Sequence, residues 1–218
     1  MRRCLRGLCR CLQEAPASGL SPKLRRPLLW LTVALALSAL AATGGWLARR
    51  LTPQIPPWAR GMGGDFSVRS ADGALALHDL RGKVVLLYFG YTHCPDACPT
   101  ALGVMARAVR SLPQAMQRRT ALLFVSLDPE RDTPELLKRY TAFFDPRMVG
   151  ATTTPQRLQR IAAAWRVSYR IPPHAPGAEY AVSHSSFIYL IDPQGRLVDL
   201  FGDGTRAEAI AAAMRAWL

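Results

Sequence analysis

Cys94 and Cys98 carry the most evident chemistry of this 218-residue chain. They stand four apart in Tyr91-Thr92-His93-Cys94-Pro95-Asp96-Ala97-Cys98-Pro99. An apolar run (84–89, VVLLYF) comes just before, and a stretch with helical apolar spacing just after (Leu102, Met105, Ala106, Val109, Leu112). A helix N-terminus stabilises negative charge, so thiols placed there are expected to have lowered pKa values and to act as nucleophiles or metal ligands. A spacing of four puts both sulfurs on one face of a helix or one side of a turn, where they can meet one object. Pro95 and Pro99 cannot both occupy a regular helix interior, which predicts an irregular first turn.

Several chemistries compete for such a pair. A structural disulfide across so short a loop constrains little chain entropy. A redox dithiol is open, although thioredoxin-type motifs have two intervening residues and this one has three. Zinc normally takes four protein ligands. Copper fits better, because thiolates favour Cu(I), imidazole suits Cu(II), and three ligands suffice. A peroxiredoxin-type peroxidase would call for a PxxxTxxC arrangement ending at Cys94, which the sequence lacks.

The third ligand must come from elsewhere. His78 lies near a hairpin and reads as a surface residue. His93 is adjacent to Cys94, so it points away from the shared face and reads as a supporting or structural group. His174, in the Pro-rich loop IPPHAPG, and His184, just before an apolar strand, both remain open as ligands. Asp128 and Asp132 read as a turn and an N-cap before Pro134, with partner recognition or an electrostatic role beside the site as the alternative.

The elements that must position these groups alternate in type. Strands are expected at 84–89, 121–127, 186–191 and 197–201, with the last two joined by the turn Asp192-Pro193-Gln194-Gly195. A hairpin is expected from 66–68 and 74–77 around Ala71-Asp72-Gly73. Helices are expected at 100–112, 134–144 (capped by Thr133 or Asp132, with Pro134 in first place) and 155–165. A last helix is expected to run from a Thr205 cap to Leu218. The order predicts an α/β three-layer domain with a mixed central sheet. Phe66, Phe89, Phe124, Phe187 and Tyr189 are its core candidates.

The chain divides into a basic leader (1–27), an apolar segment (28–48), a Pro/Gly-rich tether (49–64) and the domain (65–218). The 21 residues from 28 to 48 carry no charge, enough to span a bilayer's hydrocarbon core as one transmembrane helix. Seven basic residues precede the segment, which predicts a cytoplasmic N-terminus and an exported domain. Ala39-Leu40-Ala41 offers the alternative of a cleaved signal peptide. The net charge of +13 divides into +9 up to residue 60 and +4 beyond it. The excess therefore orients a membrane segment, and nucleic-acid binding is not expected. Cys4, Cys9 and Cys11 fall in the leader, on the reducing side.

Three segments together resemble the Sco/SenC copper-binding proteins of cytochrome c oxidase assembly. They are Tyr88-Phe89-Gly90 with the cysteine motif, Ser126-Leu127-Asp128-Pro129-Glu130-Arg131-Asp132-Thr133-Pro134, and Tyr180-Ala181-Val182-Ser183-His184-Ser185 followed by Tyr189-Leu190-Ile191-Asp192. The resemblance implies a thioredoxin-like fold and copper held by Cys94, Cys98 and His184. It also implies delivery to the copper centre of cytochrome c oxidase subunit II, or to another apo copper protein. The setting expected is a bacterial inner membrane with the domain in the periplasm. Family members often carry Asp before this histidine, where the chain has Ser183. The rival reading is a thiol–disulfide oxidoreductase that reduces the acceptor's cysteines before metal loading.

Overall fold

The computed structural model describes residues 30, 31, 33–43 and 55–218. Residues 30–31 and 33–43 are helical, and among the described residues no helix is long and apolar enough to cross a membrane. The leader 1–27 with Cys4, Cys9 and Cys11, both ends of the 28–48 segment and the first part of the 49–64 tether lie outside the described residues. Pro53–Leu218 forms a compact unit of its own.

A seven-stranded sheet organises that unit, in the order β2-β1-β5-β4-β3-β8-β9. At its centre β3 (Val84–Gly90) runs parallel to β4 (Thr120–Ser126), and β4 runs parallel to β5 (Met148–Thr152). β1 (Ser67–Ser70) and β2 (Gly73–Ala76) form the predicted hairpin, and its inner strand β1 pairs antiparallel to β5. β8 (Ile188–Ile191) and β9 (Leu197–Phe201) add antiparallel strands beyond β3. All seven residues of β3 are buried, as a strand covered on both faces must be. The sheet is mixed, as expected.

On one face lie α1 (Ala97–Arg110), α3 (Pro134–Phe144) and α5 (Ala207–Arg215), with a single turn, α2 (Gln114–Gln117), after α1. Gly150 admits α3 closely, because a Cβ there would stand 2.7 Å from the Leu137 carbonyl oxygen. α4 (Pro155–Ala164) is followed on the other face by buried Trp165, which packs on Phe66, Phe89 and Tyr189. Two helix starts are capped by threonine, one of them expected. Thr133 and Thr154 each accept a backbone N–H of the first turn, with a proline next in line.

Of the two caps offered for α3, Thr133 is the one the structure shows. Other expectations need correction. The final helix is shorter than expected and Arg206 stands at its N-cap, while Thr205 turns its hydroxyl to the Gly202 carbonyl. Phe187 is 41% exposed rather than in the core. Three strands were missed: β5, too short and glycine-broken to stand out, and the two-residue pair β6 (Tyr169–Arg170) and β7 (Ser183–His184).

Candidate metal centre

The cysteine loop follows directly from the C-terminal end of central strand β3. Cys94 precedes α1, with its backbone N–H donating to the Tyr91 carbonyl at 3.4 Å. Cys98 is the second residue of α1, and its N–H donates to Cys94 Sγ at 3.4 Å. Cys94 sulfur therefore occupies the place of a cap at the N-terminus of α1, as the spacing required. The turn before the helix is irregular, as the two prolines predict: Asp96 stands at the N-cap without a capping side chain. Both cysteines are free thiols, Cys94 partly exposed and Cys98 buried.

Gly90, at the end of β3, makes room for the deeper sulfur. A Cβ there would lie 2.7 Å from Cys98 Sγ and 2.9 Å from the Phe124 ring. Burial, the largest influence, pushes the Cys98 thiol well above its ordinary range. The expectation of lowered pKa values thus fails for Cys98, because desolvation outweighs the helix end. A metal entering here must displace the Cys98 proton.

His184 arrives from β7, paired with Tyr169 across the short ladder. Its Nε2 lies 3.5 Å from Cys98 Sγ, and its Nδ1 lies 3.1 Å from the Ser185 carbonyl oxygen. A carbonyl can only accept, so Nδ1 is the donor in that contact, and Nε2 is the nitrogen that faces the sulfurs. Tyr88 and Tyr91 flank the ring edge-on, with centroids 6.2 and 5.9 Å away. One ligating atom each from Cys94, Cys98 and His184 falls within 4.8 Å of the others. Two sulfurs and one imidazole nitrogen at that spacing could share a soft metal ion.

The other sequence candidates sit elsewhere. His78 is half-exposed and paired with Asp65. His93 is exposed, with Nδ1 3.1 Å from its neighbour's Thr92 Oγ1. His174 pairs with Glu130 at 3.2 Å, away from the sulfur cluster.

Asp128 and Asp132 are both fully buried, which the turn-and-cap reading did not anticipate. Asp132 accepts the Thr92 N–H at 3.1 Å, the Thr92 hydroxyl at 2.5 Å and the Ser126 hydroxyl at 2.6 Å. Burial is the largest influence on its carboxyl and raises it, against the pull of those bonds. Asp128 accepts the Tyr180 hydroxyl at 2.7 Å and Arg131 Nε at 2.6 Å. Burial, then the bond to Asp128, pushes the Tyr180 phenol up to about 12. Sequence reasoning missed Ser126, Arg131 and Tyr180. All three fall in the segments quoted above, yet nothing in their spacing shows that they meet.

The sequence profile described as SCO1/SenC matches residues 57–218. The human protein named "Protein SCO1 homolog, mitochondrial" is 38% identical over 155 residues, 70% of this chain and 52% of that protein. The bovine SCO2 homolog is 35% identical over 192 residues, 83% of this chain and 72% of that protein. The chain thus spans about half the length of the human relative. Among solved structures, Bradyrhizobium japonicum ScoI with copper bound is 35% identical, with a TM-score of 0.65 over 72% of this chain and 99% of that one. Yeast Sco1 with copper bound is 32% identical, with a TM-score of 0.66 over 71% and 87%.

Proposed function

The chain belongs to the SCO1/SenC family, and on that premise we propose that it is a copper metallochaperone. Cys94, Cys98 and His184 hold one copper ion, which passes by ligand exchange to an apo acceptor. The observation that carries this reading is the convergence of two free thiols and an imidazole nitrogen within 4.8 Å. Similarity to relatives solved with copper bound supports the choice of metal. The two sulfurs suit Cu(I), and the imidazole extends the site to Cu(II). Graded exposure suits transfer. An incoming thiolate can displace partly exposed Cys94 or His184 first, leaving buried Cys98 as the last ligand to let go.

The family resemblance points to cytochrome c oxidase subunit II as the acceptor. The uncharged 28–48 segment behind a basic leader supports a tether in a bacterial inner membrane, with the N-terminus cytoplasmic and the domain periplasmic. The test is copper stoichiometry on the reduced protein, followed by transfer to an apo acceptor. One copper per chain is expected. Cys94→Ser, Cys98→Ser and His184→Ala should each lose at least tenfold in affinity, about 1.4 kcal/mol. Parent-like binding by any of the three would sink the three-ligand site.

The arrangement of partly exposed Cys94 beside buried Cys98 also favours a second reading, as a dithiol reductant. Cys94 thiolate would attack an acceptor disulfide, releasing one acceptor thiolate. Cys98 would then resolve the mixed disulfide, leaving Cys94–Cys98 oxidised and the acceptor reduced by two electrons. Disulfide turnover that survives His184→Ala would favour this reading, since that chemistry needs no imidazole.

A further inference from the structure

His184 stands on a strand only two residues long, and β6–β7 is a two-stranded ladder. Such a pair is marginal in water by itself. Between its strands the chain makes an excursion, residues 171–182, that must be pinned if His184 is to stay beside Cys98. The pin is visible at Tyr180, four residues before His184. The Arg131 guanidinium lies 3.5 Å from the centre of the Tyr180 ring, and the His174 ring stacks at 3.8 Å with planes 25° apart. Two groups that close to one ring centre must occupy opposite faces, so Tyr180 is sandwiched. Its hydroxyl donates to buried Asp128, which also accepts from Arg131.

The anchor of this clamp is shared with the cysteines. Asp128's own N–H donates to Ser126 Oγ at 2.9 Å, and the Ser126 hydroxyl donates to Asp132. Asp132 in turn holds Thr92, two residues before Cys94. The loop after β4 therefore ties both ligand-bearing loops to one template. Arg131 also approaches the Tyr91 ring, 6.0 Å from its centre, and Tyr91 lies edge-on to His184.

We propose that Tyr180, clamped between Arg131 and His174 and bonded to Asp128, is the positioning residue that keeps His184 within reach of Cys98. The role bears on copper because His184 is read above as a ligand, and the test separates the two claims.

The full chain, labelled at His, Tyr, Phe and Trp, is studied by NMR without metal, then titrated with Cu(II) alone and followed by thiolate absorption and electron paramagnetic resonance. In the parent, cross-peaks connect the His184 ring to the Tyr88 and Tyr91 rings. Tyr180→Ala removes them, shifts the copper spectra toward those of His184→Ala, and weakens copper binding about 10- to 100-fold, the range of lost ligand-orienting contacts. Tyr180→Phe keeps the stack and rescues most of the effect. Cross-peaks and copper spectra that stay parent-like in Tyr180→Ala overturn the proposal. If that variant loses the Trp165–Phe66 core cross-peak, Tyr180→Leu carries the test with the same two outcomes. Cross-peaks lost while both Tyr180→Ala and His184→Ala bind copper like the parent would overturn His184 as a ligand and leave the positioning role standing.

Discussion

Replacing Asp132 is the sharpest test of how the cysteine loop is held. Its carboxylate accepts from Thr92 N–H, Thr92 hydroxyl and Ser126 hydroxyl, all within 3.1 Å, and is fully buried. Asp132→Ala strands at least the Thr92 N–H and the Ser126 hydroxyl, because the Thr92 hydroxyl can turn to His93. Each stranded group costs about 1–3 kcal/mol. Relief from burying a carboxylate offsets part of that, so a net loss of about 3 kcal/mol is expected. Asp132→Asn keeps the shape, can accept from the Thr92 N–H and can donate to Thr92 Oγ1, so it should lose only about 1 kcal/mol. Urea unfolding of residues 55–218 reads both values. The pH dependence has a definite sign. Burial raises the folded-state pKa of Asp132, so its contribution is fully present below the unfolded value of about 3.9 and is lost as pH rises through the raised folded value. The parent's advantage over Asp132→Asn should therefore shrink from acid toward neutral pH. An Asp132→Ala loss under about 0.5 kcal/mol, or an advantage that grows with pH, refutes the reasoning.

Three further outcomes follow from the same geometry. Iodoacetamide at pH 8 should alkylate Cys94 well before Cys98, whose thiol is buried and pushed upward; peptide mapping reads the order, and equal rates would contradict it. Asp145, buried and held low first by its hydrogen bond to Arg147, contributes stability that is present above the unfolded carboxylate pKa and lost as pH falls through the folded one. The parent should therefore lose its advantage over Asp145→Asn below about pH 4 in acid-unfolding curves. Gly90→Ala should destabilise by about 1–3 kcal/mol in thermal or urea unfolding and weaken copper binding, since the new methyl meets Cys98 Sγ and Phe124; a variant as stable as the parent would show that the sulfur has room to move.

What the sequence makes legible here is local, and what it hides is convergence. The continuous run of β3, the proline after Thr133 and Thr154, and the cysteine spacing each announce themselves within a few residues. These features determined the strand, two helix starts and the sulfur pair. The third ligand was undecided between His174 and His184 on spacing alone, because 86 residues separate Cys98 from His184 and no periodicity spans that distance. Only the resemblance chose between them. Asp128 and Asp132 show the limit most clearly. Their spacing in SLDPERDTP fits a turn and a cap, which are surface roles. The structure buries both, and it can do so because partners reach them from two other segments, Thr92 beside the cysteines and Tyr180 before the histidine, and from Ser126 at the start of their own. A buried carboxylate is tolerable only where donors converge on it. The existence of two of them between β4 and α3 therefore implies that the loops bearing Cys94 and His184 are fixed relative to one another before any metal arrives. That rigidity is what the proposed three-ligand site needs to bind an ion without first ordering its own protein, and it is carried by residues outside the three proposed ligands.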